Sequence, residues 1–136
     1  MKYKFIKDLT SDVMFEAYGK TLKELFENSA LALSSVMCNL KKVKATKAKT
    51  VYIKAGNVEE LIVDWLQKII ALVDTEEMFF SKFGIKKINE KSLKAKVYGE
   101  EIKPELGETV VKAVTNYGFK FVKNKVNYKV RVSLDI

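Results

Sequence analysis

A chain of 136 residues, 48% of them hydrophobic and only one a proline, is sized for a single domain with one real core and holds no low-complexity stretch. Histidine is absent and cysteine occurs once, at Cys38, so a His-assisted nucleophile, a general base poised near neutrality, most zinc sites and an internal disulfide all lose their usual residues. What remains is carboxylate, lysine and hydroxyl chemistry, which favours a binding or accessory role over catalysis, and the net charge of +8 is concentrated in particular stretches.

From Met1 to Asp8 the chain alternates Lys with Tyr, Phe and Ile and lacks the apolar block of a secretion signal. No apolar run reaches the roughly 20 residues of a membrane span, so a cytoplasmic protein without a membrane partner is expected. Strand patterns at Tyr3 to Ile6 and Val13 to Tyr18 flank an acidic turn, Asp8 to Asp12. Gly19 permits a turn into a first helix, whose start is marked by Thr21 with Glu24 three residues on, the spacing of a capping box. Leu22, Leu25, Phe26, Ser29, Ala30, Leu33, Val36 and Met37 then recur at three- and four-residue spacing through about Cys38, whose thiol reads as core filler.

Between Lys41 and Lys54 stand six lysines and no acid, and the strand pattern Lys49 to Ala55 leads to the second helix. Asn57 caps it, and Glu59 and Glu60 complement its dipole. Leu61, Ile62, Trp65, Leu66, Ile69, Ile70, Leu72 and Val73 make a wide apolar face, which predicts the more buried helix of the two, with Trp65 in the core. Asp64 interrupts that face as a structural hydrogen-bonding residue.

Phe83 to Ile88 and Ser92 to Tyr98, either side of Asn89-Glu90-Lys91, read as a hairpin, and Gly99 to Gly107 as the longest loop. Val110 to Thr115 and Phe119 to Val122 follow. The last strand puts Val126, Tyr128, Val130, Val132 and Leu134 on one face and Asn127, Lys129, Arg131, Ser133 and Asp135 on the other. Residues 1–136 therefore make one α+β domain, two amphipathic helices packed on a mostly antiparallel β-sheet as a single-domain sandwich.

A second run, Lys120 to Arg131, holds five basic residues and no acid. Such runs steer a protein toward RNA or an acidic partner, or they protect exposed strands from pairing. The aromatics in both runs fall at strand-core spacing and not as an exposed stacking platform, which favours the second reading. Asp135 closes the last polar face and Ile136 carries the α-carboxylate, two hard oxygen sources one residue apart. Taken alone, Asp12 reads as a turn residue bonded to its own backbone and Asp135 as a solvated strand end.

The segments Asp8-Leu9-Thr10-Ser11-Asp12, Ala17-Tyr18-Gly19-Lys20-Thr21-Leu22, Leu25-Phe26-Glu27-Asn28-Ser29-Ala30, Leu61-Ile62-Val63-Asp64-Trp65-Leu66, Lys112-Ala113-Val114-Thr115 and Leu134-Asp135-Ile136 resemble the archease family, in the family's order and over the whole chain. The resemblance implies a protein that is not itself an enzyme. It would activate the GTP-dependent tRNA-splicing RNA ligase that joins a 2′,3′-cyclic phosphate to a 5′-hydroxyl, promoting guanylylation of the ligase and its multiple turnover. It also implies that Asp12, Asp135 and Ile136 share a divalent-metal site, and that Lys112 and Thr115 lie in a polar segment facing the ligase or the metal. Oxygen donors alone suit Ca²⁺, the ion expected in a crystal, or Mg²⁺ or Mn²⁺, and suit zinc poorly. The chain departs from the family at Tyr117, where archeases often carry histidine. Three other readings stand beside this one: a basic RNA-binding module that holds tRNA along both lysine runs, a chaperone-like factor in tRNA processing, and a metal-dependent hydrolase on the same carboxylates.

Overall fold

Thr21 and Asn57 start the two helices through their side chains: the Glu24 N–H donates to Thr21 Oγ1 at 3.1 Å and the Glu60 N–H to Asn57 Oδ1 at 2.8 Å. In the computed structural model, which describes residues 1–7 and 12–136, these are α1 (Leu22–Met37) and α2 (Val58–Thr75). Gly19 precedes α1 because a Cβ there would run into the Leu25 amide nitrogen, so the requirement is close approach of strand to helix.

Among the described residues the strands are β1 (Tyr3–Ile6), β2 (Val13–Gly19), β3 (Lys47–Lys54), β4 (Met78–Ile88), β5 (Ser92–Glu101), β6 (Ala113–Lys123) and β7 (Tyr128–Asp135). The α+β class is as expected, and the pairing is antiparallel throughout, but the strands divide into two sheets. One runs β1-β2-β7-β6 and the other β3-β5-β4. The helices hold them together: α1 packs on β2, β7 and β1 of the first sheet and on β4 of the second, while α2 packs on β3, β4 and β6.

That placement corrects the expected order of burial. Eight of the sixteen residues of α1 are buried, against five of the eighteen of α2. Ser29, Ala30, Ala32 and Ser34 let α1 approach the strands of both sheets closely, and their small, partly polar side chains made it look the less buried of the two. Trp65 is core as expected: fully buried on α2, it donates its Nε1–H to the Phe26 carbonyl at 2.9 Å and meets Phe83 edge to face with ring centroids 6.2 Å apart. Asp64 is exposed. Cys38 is buried behind α1, and burial, helped by the Glu108 charge, pushes its thiol up to about 12.

Several strand limits differ from the sequence pattern. β4 begins at Met78, because Met78, Phe79 and Phe80 pair with Glu101, Glu100 and Gly99 of β5. The expected loop Gly99 to Gly107 is thus partly strand, followed by a 3₁₀ turn at Pro104–Leu106. Gly99 is required there, since a Cβ would collide with the Phe79 carbonyl. β6 begins at Ala113 instead of Val110 and extends to Lys123 with a register shift after Thr115. β7 begins at Tyr128, leaving Val126 exposed in the preceding turn, and Val130, Val132 and Leu134 point into the core as their alternation requires. Among the described residues no helix is long and apolar enough to cross a membrane.

Candidate functional site

β2 lies antiparallel on β7, with Val13 opposite Leu134 and Gly19 opposite Tyr128. Asp12 directly precedes Val13 and Asp135 directly follows Leu134, so the two aspartates stand one residue beyond that last pair, on neighbouring strands about 4.8 Å apart. On its other side Asp135 pairs with Ala113 of β6, and its carbonyl accepts the Lys112 N–H at 2.8 Å. Asp12, Lys112, Asp135 and Ile136 therefore gather at one end of the four-stranded sheet, Asp12 half-buried and the other three exposed. Asp8, the first residue of the acidic turn, lies outside the described residues.

Thr115 sits further along β6, opposite Ser133. Its Oγ1 is buried and has no hydrogen-bond partner among the described residues. Past Thr115 the register breaks: Thr115 faces Ser133 but Lys120 faces Arg131, so residues 116–119 span the space of one β7 residue. The extra chain arches over the outer face of the sheet. Gly118 takes φ +64° at the crest, where a Cβ would stand 2.9 Å from the Met14 Cε, and the Ser133 Oγ donates to the Tyr117 carbonyl at 2.7 Å. Met14 and Ser133 are buried beneath the arch although they face away from the helices. Tyr117 itself is half exposed.

Next to the arch the same face holds an ion cluster. The Glu16 side chain is only 6% exposed. Its Oε2 accepts from Arg131 Nε at 3.1 Å and Nη2 at 3.0 Å, and its Oε1 accepts the Tyr18 hydroxyl at 2.9 Å. Lys129 and Lys4 approach to 3.7 and 3.8 Å. Burial pushes the Glu16 pKa up, but the hydrogen bonds from Arg131 and Tyr18 and the charges of Lys129 and Arg131 together outweigh it and hold the carboxyl below the usual range. Burial and the bond to Glu16 push the Tyr18 phenol up to about 12. The sequence pattern did not single out Glu16, because its partner Arg131 is brought opposite it only by the β2–β7 ladder.

The donors at the sheet end are oxygens, which suits a hard divalent cation. Among the described residues no group of three or more His, Cys, Asp or Glu side chains is arranged to hold a metal. The basic runs behave differently from one another. In Lys120 to Arg131, Phe119, Phe121 and Tyr128 beside and within the run pack against the core as expected. In Lys41 to Lys54, Tyr52 is 67% exposed, which overturns the expectation that its aromatics serve the core.

The model of the Archease protein family matches residues 3–136. Protein archease of Methanosarcina acetivorans is 38% identical, over 99% of this chain and 96% of the relative. The solution structure of Methanobacterium thermoautotrophicum protein 1598 superimposes with a TM-score of 0.83 at 35% identity, covering 99% of both chains. The crystal structure of a Thermotoga maritima archease, described as a possible chaperone, superimposes with a TM-score of 0.69 at 18% identity, over 96% of this chain and 95% of that one, a likeness of fold.

Proposed function

The chain belongs to the archease family, and on that premise we propose that it is an accessory protein that activates a GTP-dependent tRNA-splicing RNA ligase from the end of the four-stranded sheet. The observation that supports this reading most is the β2–β7 register, which leaves two carboxylates side by side where both strands end. Asp12 and Asp135, with the carboxyl group of Ile136, are the residues that would hold a divalent cation, Ca²⁺, Mg²⁺ or Mn²⁺ by their donor chemistry. Bound there, the ion would relieve the repulsion among the carboxylates and offer positive charge to phosphate oxygens. Lys112, exposed and tied to the Asp135 carbonyl through its own N–H, adds a cation beside the pair that can face the ligase. Thr115, two residues along β6 from the partner of Asp135, has its Oγ1 buried, so in this reading it supports the sheet end from beneath and does not itself touch the ligase. In this reading the protein presents charge to the ligase active site, favours the conformation in which the ligase attacks GTP, and performs no bond-breaking step itself.

The test is guanylylation of the cognate ligase with labelled GTP under limiting divalent metal. The wild-type protein should raise the guanylylated fraction and the number of ligation turnovers. Asp12→Ala and Asp135→Ala should each weaken that stimulation by about tenfold or more. Stimulation equal to wild type in both variants would overturn the metal-centred reading, and stimulation unaltered by residues appended after Ile136 would remove Ile136 from the site. Absence of stimulation by the wild-type protein would overturn the activator role as a whole.

A further inference from the structure

We infer that the outward face of the three-stranded sheet β3-β5-β4 binds single-stranded nucleic acid, with Tyr52 and Tyr98 stacking on bases and lysines holding the backbone phosphates. The face is set by register. Val51, Ala95 and Ile85 pair across the sheet and are buried toward the helices, so the alternate residues point outward. One outward rank is Tyr52, Lys94 and Lys87, and another pairs Tyr98 with Lys82. Lys96 lies between these ranks, with Thr50 on one side and Gly84 on the other. Among the described residues, no Asp or Glu shares these outward ranks of the sheet.

Surface lysines that only keep a strand soluble are usually interleaved with carboxylates, because like charges directly opposite each other across a sheet are destabilising. Here Lys94 and Lys87 are direct partners, a repulsion that a polyanion would convert to attraction. The two rings are the second observation. Tyr52 is 67% exposed, and Lys94 Nζ stands 5.5 Å from its ring centroid. Lys82 Nζ stands 5.2 Å from the Tyr98 centroid. Each aromatic thus carries an ammonium over it in the free protein. A nucleotide offers a partner for both groups, its base to the ring and its phosphate to the displaced lysine. Tyr52 and Tyr98 lie on adjacent strands and their ranks are four residues apart along the sheet, about 14 Å at ideal strand spacing, so each serves a different base of one strand. A duplex, with its bases stacked inside, satisfies the lysines alone.

This inference is independent of the ligase reading, and its test contains no ligase. The probe is a fluorescein-labelled, U-rich RNA 12-mer, followed by anisotropy across a salt series. Binding should weaken with salt with a log–log slope of about −3 for four phosphate contacts. Tyr52→Ala and Tyr98→Ala should each weaken it by about fivefold or more, with Tyr52→Phe close to wild type because the ring is kept. Lys94→Glu with Lys96→Glu should abolish most of it and flatten the slope, and thermal melts check that every variant is folded. Wild-type affinity in the Tyr52→Ala/Tyr98→Ala double variant, or in Lys94→Glu/Lys96→Glu, overturns the inference. So does equal affinity for the same sequence as a duplex, or binding to phosphatidylserine vesicles with the single strand unbound.

Discussion

On the outer face of the four-stranded sheet, Arg131, Lys129 and Lys4 close around the buried carboxylate of Glu16, and the chain from 116 to 119 arches over the neighbouring rungs. On the outer face of the three-stranded sheet, Lys82, Lys87, Lys94 and Lys96 stand around two tyrosines, and among the described residues no carboxylate shares their ranks. Both faces come from basic, alternating strands, and in sequence they look alike. A single acid at position 16 makes the first a structural cluster whose cations are already engaged. Its absence on the second leaves the cations to an outside anion. Local charge density says nothing of this difference; the residue across the ladder decides it.

Removing the acid should have the largest effect. Glu16→Gln strips the cluster of its charge while keeping its shape, and should destabilise the fold by about 2 kcal/mol, below the 3–5 kcal/mol of a fully buried pair because the surrounding cations keep part of their hydration. Urea unfolding measures it; a variant as stable as wild type would erase the distinction between the two faces. The pH dependence follows in sign. Glu16 titrates below its ordinary value of 4.5 when folded, so the stability it brings is complete above that value and is lost as pH falls through the lower folded pKa. Wild type and Glu16→Gln should converge in stability there.

A smaller loss, about 1 kcal/mol, is expected of Gly118→Ala, which puts a side chain at φ +64° against the flexible end of Met14. It should loosen the arch, read as faster hydrogen exchange at Ser133 and Tyr117, with the three-stranded sheet unchanged. Smallest of all, Lys94→Glu should leave stability within about 0.5 kcal/mol of wild type, because attraction to Lys87 in place of repulsion offsets the lost ammonium–ring contact with Tyr52. A clear loss of stability would mean that Lys94 is engaged within the fold as Arg131 is.

What could be read in the chain beforehand was whatever depends on near neighbours. Thr21 and Asn57 cap the helices as their spacing requires, and Val130, Val132 and Leu134 face the core by alternation alone. Asp12 and Asp135 entered as a pair only through family resemblance, since the 122 positions between them are closed by the β2–β7 ladder and by no local pattern. Glu16 was hidden for the same reason, its partner Arg131 lying at the other end of the chain. The division into two sheets was not legible because each strand carries only its own two faces, and nothing in β3 or β6 states which strands will lie beside it. Tyr52 is a different case: Val51 and Ile53 on either side of it already turn it outward, and reading the run for its aromatics instead of for its parity assigned it to the core.

The chain's lone cysteine is sealed behind α1 with its thiol raised to about 12, so at neutral pH it is almost wholly protonated and out of reach of alkylating reagents. The natural sequence is therefore already a silent background for site-specific chemistry. A cysteine introduced at Lys112 would take a maleimide dye at the sheet end, one at Lys54 would take it at the far rim of the three-stranded sheet, and in neither case would Cys38 have to be removed first.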